Sequence, residues 1–209
     1  MSDYTVQYHQ YDLPDTLKLG DQVAIDCEMM GLNFTRDRLC TVQIHARGDQ
    51  TVHIVHFPEP VYDSPNLKKL LSKPDILFVG HMIRLDLQTI GYHLGVIPKN
   101  VFCTRTASRI AQTYGASHNY GDLVLQFTGT QLDKSQTSTY WGSLTLTDDQ
   151  IRYAIDDVIP LHSLKTALEH IVTSEKRQDV LNAAMSMLPY RVLIDIKGWN
   201  KEDILDFPF

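Results

Sequence analysis

The chain has 209 residues, of which 43% are hydrophobic and 21% are charged, a composition typical of a globular protein with a sizeable core. Its net charge is −6, from 19 basic and 25 acidic residues, so the whole molecule lacks the basic character of proteins that hold long nucleic acids by the backbone. No apolar run approaches the ~20 residues of a membrane-spanning helix, so we expect no membrane association.

The start of the chain and its cysteines bear on the cellular compartment. The first ten residues have neither the basic start nor the apolar core of a secretory signal. Cys27, Cys40 and Cys103 show no metal-ligand spacing, and their odd number provides no complete disulfide framework. We therefore expect a reducing, cytoplasmic setting.

The predicted elements begin with an extended polar arm over residues 1–21, which ends in turns. Three strand-like runs follow, and the last two are separated by a Gly-Asp turn: 22–28, 38–46 and 51–57. Three successive strands predict an antiparallel start to the sheet. Ser64-Pro65 then offers an N-cap and a first-turn proline for a short helix that reaches Leu71.

Short strands and helices alternate through the middle of the chain. The wholly apolar run 76–80 predicts a strand that is buried on both faces, and apolar residues at helical spacing predict a helix over 83–94. The next predictions are a strand at 101–103, a helix from 106 to about 114, and a helix over 119–127 that Gly129 closes.

The longest periodic segment starts at Thr147 with a pattern that resembles a capping box and continues to Leu168. Pro160 lies inside it and should kink it. A final helix is predicted from Glu175 to about Leu188, followed by an irregular tail. These elements predict an α/β fold with a mixed central sheet flanked by helices, divided into an arm (1–21), a main domain (22–173) and a C-terminal helix with its tail (174–209).

Two carboxylates stand at the end of the first strand of the main domain. Asp26 and Glu28 are two residues apart, so they project from the same face of an extended strand. Held that close, two ionised carboxylates repel each other, and a hard divalent cation such as Mg²⁺ or Mn²⁺ would remove that cost. Alone the pair could equally be two solvated charges, so its meaning depends on further acids.

Further acids occur where a cation site would need them. Asp86 falls early in the helix after the buried strand, near the end of the sheet where α/β folds usually carry their sites. Tyr153 and Asp157 are four residues apart on the long helix and share a face. A carboxylate acting through a metal and a phenol acting by a hydrogen bond could together position one water molecule.

In this order and on these elements, three motifs resemble those of the DEDD exonuclease superfamily in its tyrosine-containing branch: Asp26-x-Glu28, Gly80-His81-x-x-x-x-Asp86 and Tyr153-x-x-x-Asp157. The resemblance to ribonuclease D-like proteins runs from about residue 20 to 170. It implies a ribonuclease H-like exonuclease fold, with two divalent ions, Mg²⁺ or Mn²⁺, held by the four acids. It also implies that Tyr153 orients the water that attacks the phosphate.

Three further segments narrow the resemblance to the nano-RNase C family: 36–40, 101–104 and the tail from Leu188 to Ile204. It implies a cytoplasmic 3′-5′ exoribonuclease that degrades very short single-stranded RNA, especially dinucleotides, to nucleoside 5′-monophosphates. It also implies an octameric ring, and we predict that Trp199 and residues 201–209 contribute to subunit contacts. Leu32 would act as an apolar wedge between two bases, and phosphate contacts are expected among His81, Arg84, Arg105, Arg109, Lys134 and Ser135.

Three alternatives remain open at this point. A general ribonuclease D-like exonuclease that trims longer RNA would need a basic track, which the net charge disfavours. A catalytically inactive nucleic-acid-binding module on the same fold would have no reason to keep four acids that repel phosphate. A DNA proofreading domain would be expected beside a polymerase.

Overall fold

The computed structural model describes residues 4–133 and 139–200. Within them, six strands form one mixed sheet in the order β1-β4-β3-β2-β5-β6. The strands are β1 (Thr5–Gln10), β2 (Gln22–Met29), β3 (Leu39–Ala46), β4 (Thr51–His56), β5 (Leu77–Gly80) and β6 (Val101–Cys103). The helices are α1 (Pro65–Leu71), α2 (Arg84–His93), α3 (Thr104–Ala111), α4 (Tyr120–Thr128), α5 (Asp148–Val158), α6 (Leu161–Ser174) and α7 (Gln178–Ile194), with a π-helical turn at Asp195–Trp199. The predicted α/β class is confirmed.

Strand β2 lies inside the sheet, between an antiparallel and a parallel neighbour. It pairs antiparallel with β3, which pairs antiparallel with β4, as the three successive strand patterns predicted. On its other side it pairs parallel with β5, which pairs parallel with β6. The carboxyl ends of β2 and β5 therefore meet at one edge of the sheet, where parallel strands usually present a site.

Apolar side chains cover both faces of the sheet. Ile25 and Cys27 of β2 belong to a buried cluster that includes Leu87 of α2. Ala24, from the opposite face of the same strand, belongs to a second cluster that includes Ala154 of α5. Since the side chains of a strand alternate between faces, β2 is fixed by burial on both sides. None of the helices in the described ranges is long and apolar enough to cross a bilayer.

The segment predicted as an extended arm contains an additional strand of the sheet. Strand β1 pairs parallel with β4 along its whole length, from Thr5 opposite Thr51 to Gln10 opposite His56. Polar contacts accompany the pairing, such as a ring nitrogen contact of 3.1 Å between His9 and His53. The sequence of β1 is polar and mostly exposed, because an edge strand needs no strict alternation, and this is why its pattern did not predict a sheet strand.

Helix boundaries differ from prediction at three places. Helix α3 runs from Thr104 to Ala111 rather than from 106 to about 114, because it starts directly at the end of β6 and its last residue is followed by extended backbone at Gln112. At Pro160 the predicted kinked helix is instead divided into α5 and α6, although Ile159 and Pro160 between them keep helical dihedral angles. Helix α7 continues past Leu188 to Ile194 and accommodates the buried Pro189.

Candidate active site

The first two acids lie at the carboxyl end of β2. Asp26 is opposite Gln43 of β3 and Glu28 is opposite Thr41, and the register of the pair shifts immediately after Glu28. Both side chains share the sheet face with Ala24, the face on which α5 packs. The strand therefore presents the two carboxylates toward α5, as their spacing predicted.

Asp86 reaches the same edge from the opposite face of the sheet. Helix α2 packs against the cluster around Ile25, and Asp86 lies in its first turn. Its Oδ1 accepts a hydrogen bond of 3.1 Å from the backbone N–H of Cys27, the residue between Asp26 and Glu28. This bond attaches the start of α2 to the strand that carries the first two acids.

The last acid comes from α5. The helix begins with the predicted capping box, in which Thr147 and Gln150 satisfy each other's backbone N–H groups. Asp157 lies in its last turn, and the Tyr153 hydroxyl donates a hydrogen bond to the Asp157 carboxylate. Carboxylate oxygens of Asp26, Glu28 and Asp157 all lie within 4.8 Å of one another.

Burial and mutual repulsion raise the pKa of all four carboxyl groups. Burial, and then the charge of Asp86, hold the pKa of Asp26 well above its usual range. Burial, and then Asp26, raise the pKa of Glu28 to about 10, while burial raises that of Asp86 to about 8. Burial and the charge of Asp26 also raise the pKa of Asp157. The four groups therefore share one electrostatic environment.

This environment has the character of a divalent cation site. In residues 4–133 and 139–200, no Lys, Arg or His forms an ion pair with any of the four acids. Buried carboxylates without a cationic partner are costly, and oxygen donors at this spacing are the ligands that Mg²⁺ and Mn²⁺ prefer. Asp26, Glu28 and Asp157 form the compact group, and Asp86 adjoins it through its bond to the strand between them.

An open pocket of about 350 Å³ lies between the loop after β2 and the start of α2. Leu32, Met82 and Arg84 contribute to its lining, and the Leu32 side chain is 80% exposed. The loop that carries Leu32 is held by Asp37, which approaches Gly31 so closely that a Cβ there would lie 2.3 Å from its carboxylate. A larger residue at position 31 would displace that carboxylate, which also accepts a hydrogen bond from the Asn33 N–H, so Leu32 projects from a constrained turn.

Arg84 has a specific partner that was not predicted. Its guanidinium forms a bidentate ion pair with Asp195, through Nε at 2.7 Å and Nη2 at 2.8 Å. Asp195 is buried and also accepts a hydrogen bond of 2.5 Å from Gln88. The side chain of Arg84 thus lines the pocket while it joins α2 to the turn after α7, and its predicted phosphate contact stays a prediction.

His81 lies in the turn after β5. Its Nδ1 is 3.0 Å from the Thr104 hydroxyl, and its ring packs against Tyr120 with 5.2 Å between centroids. Burial, and then the charge of Arg105, lower the pKa of His81 to about 4. It is therefore neutral at neutral pH, so it could offer a hydrogen bond rather than a charge to a phosphate.

Four other residues were predicted as phosphate ligands. Arg105 and Arg109 are on α3, where the Arg105 Nη1 lies 3.1 Å from the Met82 sulfur and Arg109 is exposed. Lys134 and Ser135 lie outside the described residues.

Two residues near the acids were missed. Tyr120 donates to the backbone carbonyls of Asp156 and Asp157, and Asp195 anchors the helix of Asp86. Both side chains contact residues more than 30 positions away in the sequence, so no local spacing could predict these contacts. The sequence signal nearest to them was Pro160, which lies three residues after Asp157 in an otherwise helical pattern.

Most of the chain matches a known protein family. Residues 10–173 match the 3′-5′ exonuclease family. The ribonuclease D of Bartonella henselae is 34% identical over 177 residues, which make up 83% of this chain and 42% of that protein. The ribonuclease D of Gluconacetobacter diazotrophicus is 31% identical over 79% of this chain and 42% of its own length. The chain thus spans about two-fifths of the curated relatives it matches.

Solved structures show similarity over the full chain. Brucella melitensis NrnC bound to pGG is 35% identical with a TM-score of 0.91, over 98% of this chain and 100% of that one. The same protein with bound Mg²⁺ gives a TM-score of 0.90 at 35% identity and the same coverage. Escherichia coli RNase D has a TM-score of 0.70 over 82% of this chain and 45% of that one, and at 20% identity the similarity concerns the fold alone.

Proposed function

Because the chain belongs to the DEDD family of 3′-5′ exonucleases, in the ribonuclease D-like group that includes NrnC, we propose that it hydrolyses very short single-stranded RNA, especially dinucleotides, to nucleoside 5′-monophosphates. The pGG bound to a relative of the same length and fold is the observation that carries this proposal. The compact group of acids and the pocket of about 350 Å³ lined by Leu32 and Arg84 support it, because a short substrate needs only a small site.

In this proposal Asp26, Glu28, Asp86 and Asp157 hold two divalent ions, Mg²⁺ or Mn²⁺. When bound, such ions polarise the scissile phosphate, activate a water molecule and neutralise the charge that develops on the phosphate oxygens. The Mg²⁺ bound to the Brucella relative supports this choice of cation. The protein contributes a partly buried set of oxygen donors, whose arrangement from β2, α2 and α5 is held by the sheet edge.

Tyr153 is proposed to orient the attacking water. Its hydroxyl is hydrogen-bonded to the Asp157 carboxylate, which places the phenol at the edge of the acid group. Its ring lies 6.1 Å from that of the buried Trp141, so the side chain is supported by packing. A phenol held in this way can direct a water molecule toward phosphorus while the carboxylates bind the cations.

The pocket lined by Leu32 and Arg84 is proposed to receive the substrate's bases and terminal phosphate. Leu32 would insert between two bases, because an exposed apolar side chain on a constrained turn can replace base stacking without sequence preference. Arg84 lines this pocket and His81 lies three residues before Arg84 in the sequence, so both remain phosphate-contact candidates. Arg105, Arg109, Lys134 and Ser135 remain candidates by resemblance alone.

A time course with 5′-labelled RNA dinucleotide and with a longer single-stranded RNA, in Mg²⁺ or Mn²⁺, tests the proposal. Wild type should clear the dinucleotide far faster, and Asp157→Asn should lose activity. The neighbouring Asp156→Asn removes an equal charge outside the acid group and serves as the matched control. Tyr153→Phe should slow turnover about 10–100-fold while Mn²⁺ affinity changes little.

Other outcomes would select the alternatives. Equal or faster degradation of the longer RNA would replace the proposal with a general ribonuclease D-like exonuclease. Metal-dependent binding without cleavage of either substrate would leave the inactive binding module.

The proposal also includes a cytoplasmic setting and a homo-octameric ring. Three free, buried cysteines in the described chain are compatible with a reducing compartment. Apolar side chains exposed along α7, and Trp199 beyond it, provide a surface that an oligomer would cover. The contribution of residues 201–209 to subunit contacts, which lies outside the described residues, and the division of the chain at residues 21 and 173 stay predictions.

A further inference from the structure

The last turn of α5 carries Asp157 but lacks one of its own hydrogen bonds. In a continuous helix, the carbonyl of Asp156 would accept from the backbone N–H four residues later. That residue is Pro160, which has no N–H. The backbone nevertheless keeps helical dihedral angles through this point, with Ile159 at φ −59° and ψ −48° and Pro160 at φ −67° and ψ −19°.

A side chain from another helix approaches the carbonyls at the end of α5. Tyr120, the first residue of α4, directs its hydroxyl at the end of α5. The hydroxyl donates to the carbonyl of Asp157 at 2.7 Å and lies 3.2 Å from the carbonyl of Asp156. A phenol therefore supplies a donor to the turn in which proline has removed one.

The ring of Tyr120 is held in place by its surroundings. It packs against the ring of His81 and against the buried residues Leu123, Val124 and Leu164. His81 is itself bonded to Thr104, so the phenol is supported from the turn that follows β5. A side chain that is fixed in this way can define the position of the backbone it contacts.

We propose that Tyr120 is a positioning residue for Asp157: its hydroxyl donates to the carbonyls at the end of α5, chiefly to that of Asp157, and fixes the helix turn from which Asp157 presents its carboxylate. The proposal rests on the proposed function, in which Asp157 binds a divalent cation. Groups that orient metal ligands usually matter for affinity and rate almost as much as the ligands themselves.

Tyr120→Phe tests this role, because it removes the hydroxyl and keeps the ring. Mn²⁺ affinity, measured by calorimetry, should fall about 10-fold, and dinucleotide turnover should fall with it. Amide hydrogen exchange in peptides that cover residues 150–162 should be faster. Tyr114→Phe, which makes the same change on a fully exposed tyrosine, is the matched control and should alter none of the three.

A second substitution provides a rescue. Pro160→Ala supplies a backbone N–H to the Asp156 carbonyl but not to that of Asp157, so Tyr120→Phe combined with Pro160→Ala should recover only part of the Mn²⁺ affinity and of the slow exchange. Wild-type Mn²⁺ affinity together with wild-type exchange in Tyr120→Phe would overturn the proposal. Exchange needs neither metal nor RNA, so an inactive wild type would refute the proposed function while exchange still decided the role of Tyr120.

Discussion

At the scale of single residues, the site is defined by acids that the fold buries beside one another. Asp86 shows the cost of ionising a carboxyl group in this site: its pKa is raised to about 8 from an ordinary value of 3.8, chiefly because it is buried. A folded-state pKa above the unfolded value stabilises the protein below about pH 4, and that stabilisation is lost as pH rises through 8. Without metal, the protein should therefore become less stable between pH 5 and 8.

Asp86→Asn tests this relationship in metal-free protein. Asparagine can still accept the hydrogen bond from the Cys27 N–H but cannot ionise. We expect the free energy of unfolding of the wild type to fall more than that of the variant between pH 5 and 8, by on the order of 2 kcal/mol. Urea denaturation in the presence of a chelator measures both. Parallel pH profiles for the two proteins would contradict the prediction.

At the scale of elements, the start of α2 is attached to two distant parts of the fold. Asp86 connects it to β2, and Arg84 connects it to the buried Asp195 in the π-helical turn after α7. Arg191 approaches the same carboxylate at 3.0 Å, so two arginines share one buried charge. The placement of Asp86 thus depends on the C-terminal part of the described chain, more than 100 residues away.

Asp195→Ala should destabilise the protein by about 2–3 kcal/mol, because it removes charged hydrogen bonds and leaves two arginines without their acid. The figure is at the lower end for a buried ion pair because the Arg84 side chain is 42% exposed. Urea denaturation measures this change in the free energy of unfolding. Asp21→Ala is the control: its pair with Arg47 is exposed on both sides, so its loss should cost less than about 1 kcal/mol. Equal effects of the two changes would refute the anchoring role.

At the scale of the whole molecule, the surface of α7 stands out as apolar. Val180, Met187 and Tyr190 are exposed and follow one another at helical spacing. Exposed apolar surface of this kind commonly marks a contact between protein chains. It lies next to the turn with Trp199, where the subunit contacts of the proposed ring were predicted.

Met187→Glu with Tyr190→Glu should reduce the molar mass of the assembly, because a charge buried in an apolar interface is not compensated. The two side chains are 57% and 65% exposed, so the fold of the single chain should tolerate the change. Light scattering coupled to size exclusion measures the mass. Val61→Glu places a charge on an exposed apolar residue elsewhere and should leave the mass unchanged. An unaltered mass for the double variant would exclude α7 from the interface.

Local periodicity was enough to predict the parts of the site that lie on single elements. A strand alternates every two residues and a helix repeats every 3.6, so the spacings of Asp26 with Glu28 and of Tyr153 with Asp157 determine shared faces whatever the fold. For the same reason the buried strands and most helices were predicted within a few residues. The order of the motifs along the chain was sufficient to indicate the exonuclease family.

Only the tertiary structure decided what depends on long-range contact. The sequence around β1 is polar and does not reveal that it extends the sheet beside β4. Arg84 is held by Asp195, and Tyr120 donates to backbone carbonyls at the end of α5, 36 and 37 residues later. The physical reason is common to all three: strand pairing, an ion pair or a hydrogen bond between distant segments requires no repeated side-chain pattern in either segment. Such a contact leaves no periodic pattern in the sequence, whereas burial of one face of an element against a core leaves a regular repeat of apolar residues.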